Sequence, residues 1–152
     1  MSFVYFFILF SFILSAFQCF FNYDFILLLL IEYSVLEKNF NRGILVASFL
    51  GLLQDLSIGS ILGLNIFIKS LIFYILFSLK EKIFLKNFLV KIMMSWLLII
   101  CEIYFKYCTY KIFSIPIYPP NLFNYLLFII ISPTFFILFN FFEKKYLKTD
   151  EI

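Results

Sequence analysis

Chemistry in this chain would have to come from few residues. There is no His, so imidazole acid/base catalysis and His-ligated metal sites are excluded. Cys19, Cys101 and Cys108 lie in apolar stretches without CxxC spacing and read as buried small hydrophobes rather than a disulfide or a metal site. The carboxylates inside apolar sequence are Asp24, Glu32, Asp55 and Glu102, and the cations are Lys69 and Lys91. A membrane aspartyl peptidase of the lipoprotein-signal-peptidase type needs two aspartates near one depth. Asp24 and Asp55, the only aspartates before the tail, match no such motif. A CDP-alcohol transferase needs a spaced set of acidic metal ligands, and none is present. No Ser–base pair or phosphate-cradling Gly loop is found, so the expectation is a protein that is not an enzyme and carries no cofactor.

These residues are set in an unusual background. The chain of 152 residues is 64% hydrophobic, 24% aromatic and 14% charged. Globular domains are about half apolar and about a quarter charged, and one soluble core of this size could not enclose the excess. The expectation is an all-α, polytopic integral membrane protein, a single membrane domain over 1–152. Apolar runs of spanning type fall at about 2–21, 25–36, 43–56, 61–79, 88–105 and 122–142. The first lacks the basic start of a signal peptide. The second and third are short, which raises a re-entrant hairpin as a rival. That hairpin would hold the 37–42 charge cluster near the midplane, at about 2.5–3.5 kcal/mol per charge, so six spans are preferred. Lys106–Pro120 contains Pro116, Pro119 and Pro120 and reads as a non-helical loop.

Cation placement gives an orientation. With six spans and an inner N-terminus, Lys38, Arg42, Lys80, Lys82, Lys86, Lys91, Lys144, Lys145 and Lys148 fall on the inner side. Only Lys106 and Lys111 fall outside, and Lys69 stays within the membrane. Nine against two places both termini in the cytoplasm by the positive-inside rule. The net charge of +3 is too small to imply nucleic acid.

Depth singles out one ion pair. Glu32 and Lys69 lie about eight and nine residues from their outer turns, roughly 12 and 13 Å at helical rise. Buried ions pair or line cavities, so Glu32–Lys69 is the expected pair across spans two and four. Lys91 and Glu102 lie nearer the ends of span five, where snorkelling accounts for them.

All four glycines, Gly43, Gly51, Gly59 and Gly63, fall within one short window. Gly51, Asp55, Gly59 and Gly63 are four apart and would form one stripe drifting by about 40° per step. Small residues so spaced allow close helix approach in lipid, with an interruption expected at Ser57–Ser60. Asp55 is expected to reach interfacial water or cap that turn.

The stretch from Gly51 to Asn65, GLLQDLSIGSILGLN, resembles the signature of the rod shape-determining protein MreD family: Gly, two apolar residues, any residue, Asp, then Gly, then Gly-apolar-Asn. The Tyr23-Asp24 turn and the placement of Asn124 and Pro133 in the last span are similar to the family as well. The resemblance implies a non-enzymatic scaffold of cell-wall elongation in the bacterial cytoplasmic (inner) membrane. Its implied partners are MreC and, within the same machinery, MreB, RodA and a penicillin-binding transpeptidase. It gives Gly51, Asp55, Gly59, Gly63, Asn65 and Pro133 structural or partner-contact roles. A kinship with the substrate-binding S components of vitamin transporters supplies the alternative function.

Overall fold

The computed structural model describes residues 3–21, 24–58, 61–80, 87–115 and 122–146, with side chains for 7–16, 24–57, 61–80, 87–115 and 128–141. It is all-helical, with no strand among the described residues. The helices are α1 (Phe3–Phe21), α2 (Phe25–Leu36), α3 (Phe40–Ile58), α4 (Leu64–Leu79), α5 (Phe88–Ile112) and α6 (Leu122–Tyr146).

Short α2 is the hub of the bundle. Its sequence, FILLLLIEYSVL, is apolar around almost its whole circumference, the pattern of a helix enclosed on all sides. Ile26 through Ser34 are buried, and all five other helices pack against it. Around that axis α1 meets α3, α3 meets α4, α4 meets α5 and α5 meets α6. Aromatic contacts close the ring between α6 and α1, with Phe7 and Phe139 centroids at 5.5 Å and Phe10 and Phe135 at 6.5 Å. A helix of 12 residues is about 18 Å long, shorter than a hydrocarbon core of about 30 Å.

The tightest contact joins α3 and α4, and Gly51 makes it. A Cβ there would lie 2.5 Å from the Asn65 carbonyl oxygen and 2.5 Å from Ile66 Cα. Two hydroxyl contacts lie on either side of Gly51 along α3. Ser48 and Ser70 Oγ are 2.9 Å apart between α3 and α4, and Ser15 meets Ser57 between α1 and α3.

Outside this core the surface is apolar, with Leu45, Met93, Ile100, Ile130 and Phe141 all largely exposed. One helix, Phe88–Ile112, is clearly long and apolar enough to cross a membrane.

Several helix ends differ from the sequence reading. Helix α3 begins at Phe40 rather than 43, because the Asn39 side chain accepts from Asn41 N and Arg42 N and caps the helix ahead of the charges. Helix α5 runs to Ile112, so residues 106–112 are helical and not loop. Lys106 pairs with Glu102 one turn back, and no Gly or Pro intervenes. A Schellman closure ends α5: Ile115 N donates to Tyr110 O at 3.0 Å and Ser114 N to Lys111 O at 3.3 Å. Ser114 takes the left-handed position, φ 55°. The cysteine reading is corrected too. Cys101 is exposed and Cys108 half-buried, because the buried stripe of α5 is taken by Lys91, Ser95, Leu98 and Glu102. Cys19 lies outside the described side chains.

Candidate functional site

Asp55 and Asn65 build the first polar feature. Helix α4 begins after Gly63, which has no side chain to cap it. Asp55, from α3, supplies the cap instead. Its Oδ2 accepts from Gly63 N at 2.8 Å, and its Oδ1 accepts from Asn65 N at 3.1 Å and Asn65 Nδ2 at 2.8 Å. A carboxylate set against the first turn of a helix satisfies free N–H groups and opposes the positive end of the helix dipole. Both side chains are buried. Asp55 therefore caps α4; residues 59 and 60 of the Ser57–Ser60 turn lie outside the described residues. The Gly51-to-Asn65 window is a helix–turn–helix joint closed by one buried carboxylate.

The glycines in that window have different roles. Gly51 is where backbone meets backbone. Gly63 has φ 96° and nothing within 4 Å of where its Cβ would be. Expecting Gly63 to act by close packing was incorrect: the position needs a left-handed backbone, which glycine adopts without penalty. Gly43 faces the Phe73 ring, with no room for a Cβ. Gly59 lies outside the described residues.

A second feature gathers charges beneath this joint. Asp24 N-caps α2, its Oδ1 accepting from Leu27 N at 2.8 Å. Its Oδ2 accepts from Gln54 Nε2 at 3.0 Å and from Lys69 Nζ at 2.5 Å. Lys69 also donates to Glu102 Oε2 at 2.7 Å, and Lys106 lies 2.6 Å from Glu102 Oε1. Two carboxylates and two ammonium groups make the cluster neutral. Lys69 is fully buried and Glu102 nearly so, while the Lys106 side chain is 22% exposed. Gln54, itself 1% exposed, has one buried oxygen, Oε1, with no hydrogen-bond partner among the described residues.

Further along α2, Glu32 Oε2 accepts from Lys91 Nζ at 2.6 Å. The expected Glu32–Lys69 pair is thus replaced by two arrangements, Lys69 with Asp24 and Glu102, and Glu32 with Lys91. Equal depth did not decide the partners; the rotation of α5 did. Its residues Lys91, Ser95, Leu98 and Glu102 are buried and form one stripe at helical spacing, aimed at the bundle. Lys91 and Glu102 consequently do not snorkel, and Lys91 leaves the inner-loop cations. The spacing was visible in the sequence and is the signal that identifies both partners.

At the far end of α2, Glu37 accepts from Tyr33 Oη at 2.7 Å and from Asn39 N at 2.8 Å. Lys80 donates to the Glu37 carbonyl at 2.8 Å and sits 3.8 Å over the Phe77 ring. Pro133 interrupts the hydrogen-bond ladder of α6. Beside it, Trp96 Nε1 donates to Ser132 Oγ at 3.1 Å and ties α6 to α5. No group of three or more potential metal ligands occurs among the described residues.

A helical bundle that draws its carboxylates and ammonium groups inward and turns large aliphatic and aromatic side chains outward defines a membrane-associated helical protein. Residues 1–142 match the family model described as rod shape-determining protein MreD, and the chain belongs to that family. Its role is therefore in determining rod shape. Neither the curated proteins nor the solved structures contain a match.

Proposed function

We propose that the protein is a non-enzymatic scaffold of the bacterial cell-wall elongation complex, acting with MreC as a multi-pass protein of the cytoplasmic membrane. MreB, RodA and a penicillin-binding transpeptidase belong to the same proposed assembly. All six helices cross the membrane as a single domain, with both termini in the cytoplasm. The family match over 1–142 carries the reading. The use of the buried polar groups supports it: Asp24, Glu32, Asp55 and Glu102 each join one helix to another. A scaffold needs that rigidity, since it works by presenting fixed surfaces to partners. Gly51, Asp55, Gly59, Gly63, Asn65 and Pro133 then shape the surface that MreC meets.

Depletion in the native cell tests the function. Rod shape should be lost, and MreC should be captured with the full-length chain from detergent extracts. Normal shape with a vitamin-uptake defect would overturn the scaffold reading in favour of an S-component-like transporter subunit. Reporters at both termini and in the 80–87 connection test the orientation; an outward-facing C-terminus would refute it.

A further inference from the structure

We propose that Glu102 is a reversible proton-binding site that controls how α5 is docked on the bundle. The wiring of Lys69 is the starting point. Its ammonium is shared between Asp24 and Glu102, from different helices, and Glu102 is in turn shared between Lys69 and Lys106. The two carboxylates are held unequally. Asp24 accepts from the Leu27 backbone N–H, from the Gln54 amide and from Lys69, at the positive end of α2. Glu102 has no backbone or amide donor among the described residues: it is held by Lys69 and Lys106, lies against the Asp24 carboxylate, and Lys106 is 22% exposed. The Lys106 side gives a proton its route to Glu102.

The groups facing Glu102 are Asp24 at the head of α2, Lys69 on α4 and Lys106 on α5 itself, with Tyr110 beside Lys106. Gln54 of α3 lies behind Asp24. Residues 7–16 of α1 and 128–141 of α6 carry no charge.

The unused oxygen of Gln54 is the second, independent observation. Gln54 Nε2 and Lys69 Nζ bind the same Asp24 oxygen, so amide and ammonium are neighbours. A proton taken from water by a Glu102 oxygen makes a neutral carboxylic acid and removes its attraction for Lys69 and Lys106. Lys106 turns to water. Lys69 keeps Asp24 and donates its freed N–H to Gln54 Oε1, the buried acceptor that is otherwise unsatisfied. The cluster gains one positive charge, which a low-dielectric interior resists, so the end of α5 that holds Glu102 loosens and admits water. Lys91–Glu32 retains the other end, and Trp96, between the two charge clusters on α5, shifts against Ser132 of α6 as the Glu102 end moves. The site binds protons as its ligand, and docking of α5 is its readout.

The test uses the full-length chain in nanodiscs, titrated from neutral to acid pH. Infrared spectra of protein with isotope-labelled Glu report protonated carboxyl groups. Emission from Trp96, the single tryptophan and a residue of α5, reports docking. A labelled protonated-carboxyl band and an emission change should appear together. Lys106→Met, which removes a cation favouring the Glu102 anion, should move both to higher pH. Gln54→Met, which removes the second acceptor for Lys69, should move both to lower pH. Glu102→Gln should show the low-pH emission already at neutral pH; if it does not accumulate, the other two variants decide. A titration that neither Lys106→Met nor Gln54→Met displaces, or the absence of any labelled band before unfolding, overturns the proposal.

Discussion

Replacing Gly51 with alanine adds one methyl group, and the structure leaves no place for it. The new Cβ would lie 2.5 Å from Asn65 O and Ile66 Cα and 2.6 Å from Ile66 N, whereas ordinary contact begins at 3.4 Å. All three atoms are backbone, so no side chain can rotate away. Helix α4 must retreat from α3 by about 0.9 Å, the difference between those contact distances. Overpacking of this kind costs about 1–3 kcal/mol, or about 5- to 150-fold in the folded-to-unfolded ratio. The retreat also stretches the Asp55–Asn65 bonds, now 2.8 and 3.1 Å, beyond hydrogen-bonding range. Each lost bond adds about 1 kcal/mol. Alanine is therefore not a mild change at this position. Unfolding of the purified chain in mixed micelles, followed by Trp96 fluorescence, measures the cost. Gly63→Asn is the contrast: it meets no atom, and asparagine tolerates a left-handed backbone, so its cost should be well below that of Gly51→Ala. A Gly51→Ala protein within about 0.5 kcal/mol of wild type, or one less affected than Gly63→Asn, would refute the argument.

Other outcomes follow from single contacts. Asp55→Ala uncaps α4 and strands the Asn65 amide, and should cost about 1.5–3 kcal/mol in the same assay, with Asp55→Asn intermediate. Glu32→Gln or Lys91→Met alone leaves a buried charge without its partner and should cost about 3–5 kcal/mol. The double variant should recover much of that, and strict additivity in the cycle would refute the pairing. Ser114→Gly removes the penalty of a left-handed non-glycine at the end of α5 and should stabilise by about 1 kcal/mol, seen as a higher melting temperature; a loss of stability would refute the closure described for α5.

Helix number was legible because each apolar run is closed by charges, Pro or Gly. The ends were less so. Treating Arg42 and Lys106 as markers of a helix terminus shortened α3 and α5, since a charged residue continues a helix when it is capped or paired one turn away. The ion pairs were legible only in part. Depth along a helix follows from counting residues, but the direction in which a side chain points depends on which stripe each helix buries. On α5 that stripe could be read from the spacing of Lys91, Ser95 and Glu102. For Asp24 it could not, because its partners Gln54 and Lys69 come from helices joined by a turn whose geometry Gly63 sets. Equal spacing of Gly51 and Gly63 likewise hid two separate needs, close backbone approach at one and a left-handed φ at the other.

The enclosure of α2 has a consequence for biogenesis. Helices leave the ribosome in order, and in the six-span topology proposed above α2 would enter the bilayer with Glu32 while its partner Lys91 is still 59 residues from being made. Glu102, which completes the Lys69 pairing, follows 33 residues after Lys69. An isolated α2 is too short to span, and on an otherwise apolar helix it carries the carboxylate of Glu32. Early segments must therefore be sheltered, by one another or by the insertion machinery, until α5 arrives to neutralise them. A chain halted before residue 88 would lack Lys91 and Glu102, the α5 partners of Glu32 and Lys69, a mark by which membrane quality control could tell an unfinished copy from a finished one.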